Sequence, residues 1–152
     1  MKMTPARFRR LLNLYPPYIG AGVYIRSITD DWRALVVEMR VKWFNRNAVG
    51  THFGGSLYSM VDPHLMLLLM RLLGKKYVVW DQSAEIRFVK ATRDKVKCHV
   101  QIQDEDLERI FKETEDGNKY LHTFLLKITD FSGELVAEVS KVIYIRKKKP
   151  KI

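Results

Sequence analysis

The sequence predicts an α+β fold in which antiparallel strands wrap one long apolar helix. Two observations carry that expectation. Several segments alternate apolar and polar residues with a period of two and are separated by short polar turns, which implies antiparallel pairing. Between them runs NRNAVGTHFGGSLYSMVDPHLMLLLMRLLG, Asn45 to Gly74, polar and glycine-rich at first and almost wholly apolar from Leu57 to Leu73. A helix apolar on nearly every side must be covered all round. A curling sheet supplies one cover, and a second subunit can supply the rest.

In chain order, Arg7 to Leu14 forms a short basic helix that Pro16 and Pro17 end. Gly22–Ile28 and Arg33–Trp43 read as a hairpin turned at Thr29-Asp30-Asp31. In its second strand Leu35, Val37, Met39, Val41 and Trp43 share one face, while Glu38, Arg40 and Lys42 share the other. After the long helix, Tyr77–Val89 is β-rich, though Asp81, Gln82 and Ser83 break its pattern. Lys95–Gln103 alternates cleanly, with Cys98 inward as a small core residue. In DEDLERIFKETEDG, Asp104 is the expected N-cap, Leu107, Ile110 and Phe111 form one stripe, and Gly117 ends a surface helix. Asn118–Thr129 and Glu134–Arg146 are long strands joined by a hairpin turn at Asp130-Phe131-Ser132-Gly133.

The chain has the length of a single domain, residues 1–152, with a basic tail over 146–152. A hydrophobic fraction of 47% with 11% aromatic residues excludes a disordered class. The net charge of +10 suits nucleic acid, an anionic membrane or phosphate-bearing small molecules, and the total does not choose among them. The start, MKMTPARFRRLLNLYPP, lacks the apolar stretch of a secretory signal. Asp62, Pro63, His64 and Arg71 interrupt the only apolar run of near-membrane length. A single cysteine forms no internal disulfide, so a cytoplasmic protein is expected. No His, Cys or Asp grouping has metal-ligand spacing, and no phosphate-loop or dinucleotide motif occurs.

Candidate chemistry gathers around the long helix. Gly54 and Gly55 stand where it begins, so free N–H groups and the positive helix end can stabilise an oxyanion; close packing explains the same glycines. Asp62 is a carboxylate inside an apolar run. Burying it unpaired costs several kcal/mol, which favours a role, although a carboxylate satisfied near a kink at Pro63 fits as well. Tyr58 and Ser59 lie four and three residues before Asp62, within reach of its carboxylate. His64 points to another side of the helix and reads as a packed residue; His52 either touches substrate or caps the helix. Eight helical residues rise about 12 Å, so Gly54 and Asp62 of one chain cannot meet on one carbonyl. Two antiparallel copies of the helix can bring them together. Leu65 to Met70 lines a core or an acyl tunnel. Arg87, Lys90, Arg93 and Lys95 cluster near one strand end, suited to coenzyme A phosphates or an acyl carrier protein.

The element order, with N-x6-G-G and an aspartate eight residues past the first glycine, resembles the hotdog fold. Within it the chain is similar to thioesterases related to the phenylacetyl-CoA and human acyl-CoA hydrolases, and to a less characterised branch of them. Asn47 to Asp62 carries the motif, with support from WDQSAEIRF. The resemblance implies a backbone N–H from Gly54 to the thioester carbonyl, a carboxylate at Asp62 that attacks or activates water, and Asn47 orienting substrate or water. Asp81 stands where a serine or threonine is common, Phe53 where a histidine usually precedes the first glycine, with His52 one residue earlier, and Ala91 where a proline is common. The expected function is acyl-CoA thioesterase at a dimer-interface site, as a homodimer or dimer of dimers, with no cofactor beyond the coenzyme A of the substrate and no metal. The substrate side would include His52, Phe53, Gly55, Tyr58, Ser59 and Asp81. The displaced histidine keeps open a non-catalytic acyl-CoA or lipid-binding module. Charge alone motivates a nucleic-acid-associated protein, against which stands the lack of any helix-turn-helix, zinc finger or aromatic RNP-like strand pair.

Overall fold

A computed structural model describes residues 3–149. Its elements are α1 (Pro5–Asn13), α2 (Pro16–Ala21), β1 (Val23–Ile28), β2 (Ala34–Met39), α3 (Gly54–Ser59), α4 (His64–Leu73), β3 (Tyr77–Phe88), β4 (Val96–Gln101), α5 (Asp104–Glu113), β5 (Lys119–Asp130) and β6 (Leu135–Lys147). The strands form one antiparallel sheet in the order β1-β2-β4-β5-β6-β3, with α4 against its inner face. This is the α+β hotdog architecture expected. Leu65, Leu68 and Leu69 of α4 are fully buried against Ile25, Val37, Ile128, Val139 and Ile143 of the sheet.

Local rules explain most element boundaries. Thr4 caps α1 by accepting the Arg7 N–H, and Pro5 stands at the first helical position. Pro16 and Pro17 open α2 as well as ending α1, because the first helical positions need no N–H. The N-cap of α5 is Gln103 rather than Asp104. Its N–H donates to Asp106 Oδ2 at 2.8 Å, and its side chain accepts from the N–H of Asp106 in return. Cys98 is buried in the core, and burial pushes its thiol up to about 12.

Three expectations about extent are corrected. The strand proposed over Arg33–Trp43 ends at Met39, and Trp43 is 81% exposed. Asn45 is the cause: its Oδ1 accepts the Lys42 N–H at 2.6 Å, while its Nδ2 donates to the carbonyls of Arg40 (2.9 Å) and Ala21 (3.2 Å). Those bonds offer residues 40–45 an alternative to the strand ladder. The single long helix is two, broken over residues 60–63, because Pro63 has no N–H to continue the ladder. The basic tail proposed from residue 146 begins inside β6, which runs to Lys147; the Lys148 N–H then donates to the Lys76 carbonyl at 2.8 Å. The rest of that tail, residues 150–152, lies outside the described residues.

The break in alternation at Asp81-Gln82-Ser83 is a β-bulge: β3 pairs with β6 through Asp81↔Ile143 and then Ser83↔Val142. It switches the inward positions of β3 from Val79 and Asp81 to Ala84 and Ile86, which pair with the inward Lys141 and Val139 of β6.

Candidate active site at the helix break

The break between α3 and α4 leaves Asp62 on a turn rather than within a helix. Met60 and Val61 beside it are fully buried, whereas the Asp62 side chain is 48% exposed. Facing it is Lys141, at an inward position of β6 between Val139 and Ile143. Its side chain is 0% exposed. The Lys141 ammonium donates to Asp62 Oδ1 at 2.9 Å and to the Tyr58 hydroxyl at 3.2 Å. It lies 3.2 Å from Asp81 Oδ1, an ion contact whose alignment falls short of a hydrogen bond, and 5.3 Å from the centre of the Tyr58 ring. The bulge at Gln82 ends the run of odd-numbered inward residues of β3 at Asp81.

Electrostatics divide the roles. Burial alone would push the Asp62 carboxyl up. The hydrogen bonds from Lys141 and Tyr58 and the Lys141 charge outweigh it and hold the carboxyl below its usual range. Burial dominates at Asp81 and, with the Asp62 charge, raises its carboxyl despite Lys141. Burial opposes the Lys141 charge, but bonds to Asp62 and Tyr58 and the charge of Asp81 raise its pKa, so it stays an ammonium. The site is thus one enclosed cation shared by two carboxylates whose pKa values shift in opposite directions.

Behind the break, His64 of α4 is fully buried and shares a 2.9 Å hydrogen bond between its Nε2 and the Tyr18 hydroxyl of α2. Burial depresses this imidazole to about 4, so it is neutral. It is a packed residue, as expected.

The other sequence-derived candidates fall into a second group. Asn47, Thr51, His52, Gly54, Leu57 and Phe88 line a pocket of ≈ 410 Å³. Asn47 uses all its amide capacity inside its own loop: Nδ2 donates to Thr51 Oγ1 (2.8 Å) and the His52 carbonyl (3.3 Å), and Oδ1 accepts the N–H groups of Val49 and Thr51. His52 donates from Nε2 to the Asp94 carbonyl at 2.8 Å, and burial lowers its pKa, so it clamps the loop as a neutral ring. Phe53 is exposed at the N-cap of α3, its ring so close over Gly55 that an added Cβ would lie 2.5 Å from it. At Gly54 an added Cβ would meet the Phe88 ring at 2.9 Å, which gives this glycine a packing reason.

Among the described residues, one chain brings Asp62, Tyr58 and Asp81 together and Gly54, Asn47 and His52 together, and it does not merge the two groups. Ser59 is corrected: its Oγ donates back to the Gly55 carbonyl at 2.8 Å, not to Asp62. The basic cluster is largely compensated. Arg87 pairs with Glu138 at 2.7 Å, Lys90 with Glu134, and Lys95 with Glu38, while Arg93 donates to the Val49 carbonyl. Lys141 escaped sequence reasoning. Its signal was a lysine at an inward position of the Val139–Ile143–Ile145 alternation. Among the described residues no group of three or more His, Cys, Asp and Glu side chains converges as a metal site, and no helix is long and apolar enough to cross a membrane.

Comparison with known proteins places this geometry in a family. Among solved structures the chain is similar to a Pseudomonas aeruginosa protein of unknown function described as a probable thioesterase. The two share 16% identity, cover 97% of this chain and 99% of that one, and align with a TM-score of 0.82. It is similar also to a thioesterase from Haemophilus influenzae (12% identity, 97% and 93% covered, TM-score 0.68). A third is thioesterase superfamily member 2 of zebra fish (16% identity, 94% and 99% covered, TM-score 0.67). At these identities the likeness is one of fold. No curated protein matches the chain. Residues 4–145 match the family described as "Domain of unknown function (DUF4442)", and the chain belongs to that family.

Proposed function

We propose that this member of the DUF4442 family hydrolyses acyl thioesters of the acyl-CoA type, at a site that two copies of the chain complete. The observation that carries the reading is Asp62: an ionised, half-exposed carboxylate, held by a buried ammonium at the break of the central helix. The names of the solved structures of similar fold point the same way.

In the proposed reaction a water oxygen bonds to the thioester carbon and its proton passes to Asp62. The carbonyl oxygen takes up negative charge beside the Gly54 N–H. The C–S bond then breaks and the leaving thiolate takes the proton held on Asp62, giving a carboxylic acid and a thiol and restoring the Asp62 carboxylate. Asp81, whose pKa burial raises, is the second carboxyl group of the site. Asn47 serves by fixing the loop that presents Gly54, since its amide hydrogen bonds are spent within it, and His52 ties that loop to the Asp94 carbonyl.

Two features support a second copy. β3 is an edge strand of 12 residues with β6 as its one strand neighbour among the described residues, and long unpaired edges invite pairing. The Gly54 pocket does not include Asp62 of the same chain, while Phe53 and Phe88 beside it stay exposed. A partner related by a two-fold axis would cover these rings and bring its Asp62 toward Gly54.

The test is Asp62→Asn assayed on a panel of acyl-CoA chain lengths and on acyl-carrier thioesters. Loss of about 100-fold or more in kcat is expected. Unchanged turnover overturns the assignment. A second reading, acyl-CoA binding without turnover, is favoured by one observation: the ion pair with Lys141 that keeps Asp62 charged also makes it a weak base. Tight binding with no hydrolysis above background would select it.

A further inference from the structure

The enclosed cation deepens that reading and rests on it. Lysines are almost never fully buried unless paired, yet Lys141 is 0% exposed on a strand whose other inward residues, Val139, Ile143 and Ile145, are aliphatic. An aliphatic residue would continue that face without the cost of desolvating an ammonium. What Lys141 has instead is two acidic partners that come from elements far apart in sequence, Asp62 from the helix break and Asp81 from β3, together with the Tyr58 hydroxyl. We infer that Lys141 is the positioning residue of the site: its ammonium fixes Asp62 Oδ1 and is shared with Asp81, so that two carboxylates divide one buried cation and Asp62 alone turns its free side toward substrate.

The geometry gives each group one task. Lys141 spends one donor on Asp62 at 2.9 Å, which anchors one carboxylate oxygen, and one on Tyr58 at 3.2 Å, which holds the ammonium in place. Asp81 approaches the same nitrogen at 3.2 Å without a well-aligned bond, so it competes for the charge and leaves the orientation to Asp62. Asp62 is 48% exposed and Asp81 27%, so the better-oriented carboxylate is also the more open one. The titratable groups around the cluster are Tyr58 from α3, Asp62 from the break, Asp81 from β3, and the His64–Tyr18 pair behind it. With His64 neutral and Tyr18 raised by burial, the ionic part of the balance is Lys141 against Asp62 and Asp81.

The experiment uses the full chain as wild type, Lys141→Met, Lys141→Arg and Asp81→Asn. Two readouts are taken against pH: carbon-13 NMR titration of the Asp62 carboxyl, assigned by its loss in Asp62→Asn, and kcat and KM on acyl-CoA substrates. In Lys141→Met the Asp62 midpoint moves up by about 1–3 pH units, the acidic limb of kcat/KM moves with it, and kcat falls more than KM changes. Lys141→Arg keeps the midpoint low. Asp81→Asn, which removes the competing charge, moves it further down. A folded Lys141→Met protein whose Asp62 titrates as in wild type overturns the inference. Should Lys141→Met fail to fold, an Asp62 midpoint that is unmoved or raised in Asp81→Asn does so. If the wild type hydrolyses no thioester, the proposed activity fails, while the NMR titration still decides the role of Lys141.

Discussion

Two polar clusters meet at the break between α3 and α4, and they solve the same problem in opposite ways. On one side Lys141, Asp62 and Asp81 remain charged and pair with one another. On the other, His64 and Tyr18 are buried but stay neutral, joined by one 2.9 Å hydrogen bond through His64 Nε2. Burial can be met by pairing a charge or by giving it up. The neutral pair serves packing. The charged cluster keeps a half-exposed carboxylate, which is what a reacting group needs. Site and scaffold are thus adjacent in sequence, Asp62 and His64 being two residues apart, and are separated by the direction in which each side chain leaves the turn.

The sharpest way to break this contrast is to remove the cation. Lys141→Met leaves Asp62 and Asp81 facing each other in place of an ammonium; breaking a fully buried pair costs about 3–5 kcal/mol, and the half-exposure of Asp62 puts this change toward the lower end. Urea unfolding at neutral pH should show a loss of that order. Because the remaining repulsion is between carboxylates, adding Asp81→Asn should recover part of it. A loss below about 1 kcal/mol, within the ordinary range for surface substitutions and conservative core changes, would mean that the three charges do not share one enclosed site.

The neutral pair predicts a pH effect whose sign follows from the lowered pKa of His64. In the unfolded chain a histidine takes up a proton near pH 6.5, whereas folded His64 resists it down to about 4. Between those values the unfolded state binds more protons, so stability rises with pH through this window and is lost as pH falls. The full difference amounts to about 3 kcal/mol. Asp81 acts in the opposite sense, since its raised carboxyl binds protons in the folded state. The clean measurement is therefore the difference between wild type and His64→Gln over the series: the variant should lack the His64 slope. Equal slopes in the two proteins would show that His64 already titrates normally in the fold.

How much of this was visible beforehand depends on the range of the interactions. The strands and their inward faces were legible because the period of two is a property of neighbouring residues, and even the bulge showed as the interruption at Asp81-Gln82-Ser83. Asp62 stood out because a carboxylate contradicts the apolar run around it. Lys141 did not, since a lysine in a strand ordinarily carries its ammonium to water, and only the approach of β3 and the helix break encloses it. The end of β2 was misplaced for a similar reason: the alternation through Val41 and Trp43 continues in sequence, and it takes the Asn45 side chain, folded back on Arg40 and Ala21, to cancel it. Asn47 was identified by type and spacing, but that its four hydrogen-bonding capacities are spent on Val49, Thr51 and His52 is a property of loop geometry.

Tyr18→Phe is the mildest probe of the contrast. It deletes the hydroxyl and leaves His64 Nε2 buried without a partner, an expected cost of about 1–3 kcal/mol. The effect should be smaller than that of Lys141→Met because only a neutral group is stranded. It should also leave the Asp62 titration in place, since the bonds that hold this carboxylate come from Lys141 and Tyr58 and not from Tyr18. Urea unfolding together with the carboxyl NMR titration tests both halves at once. If removing the Tyr18 hydroxyl shifts Asp62 as far as removing the Lys141 ammonium does, the two clusters are one coupled network, and the division of the helix break into a reactive and a structural side is wrong.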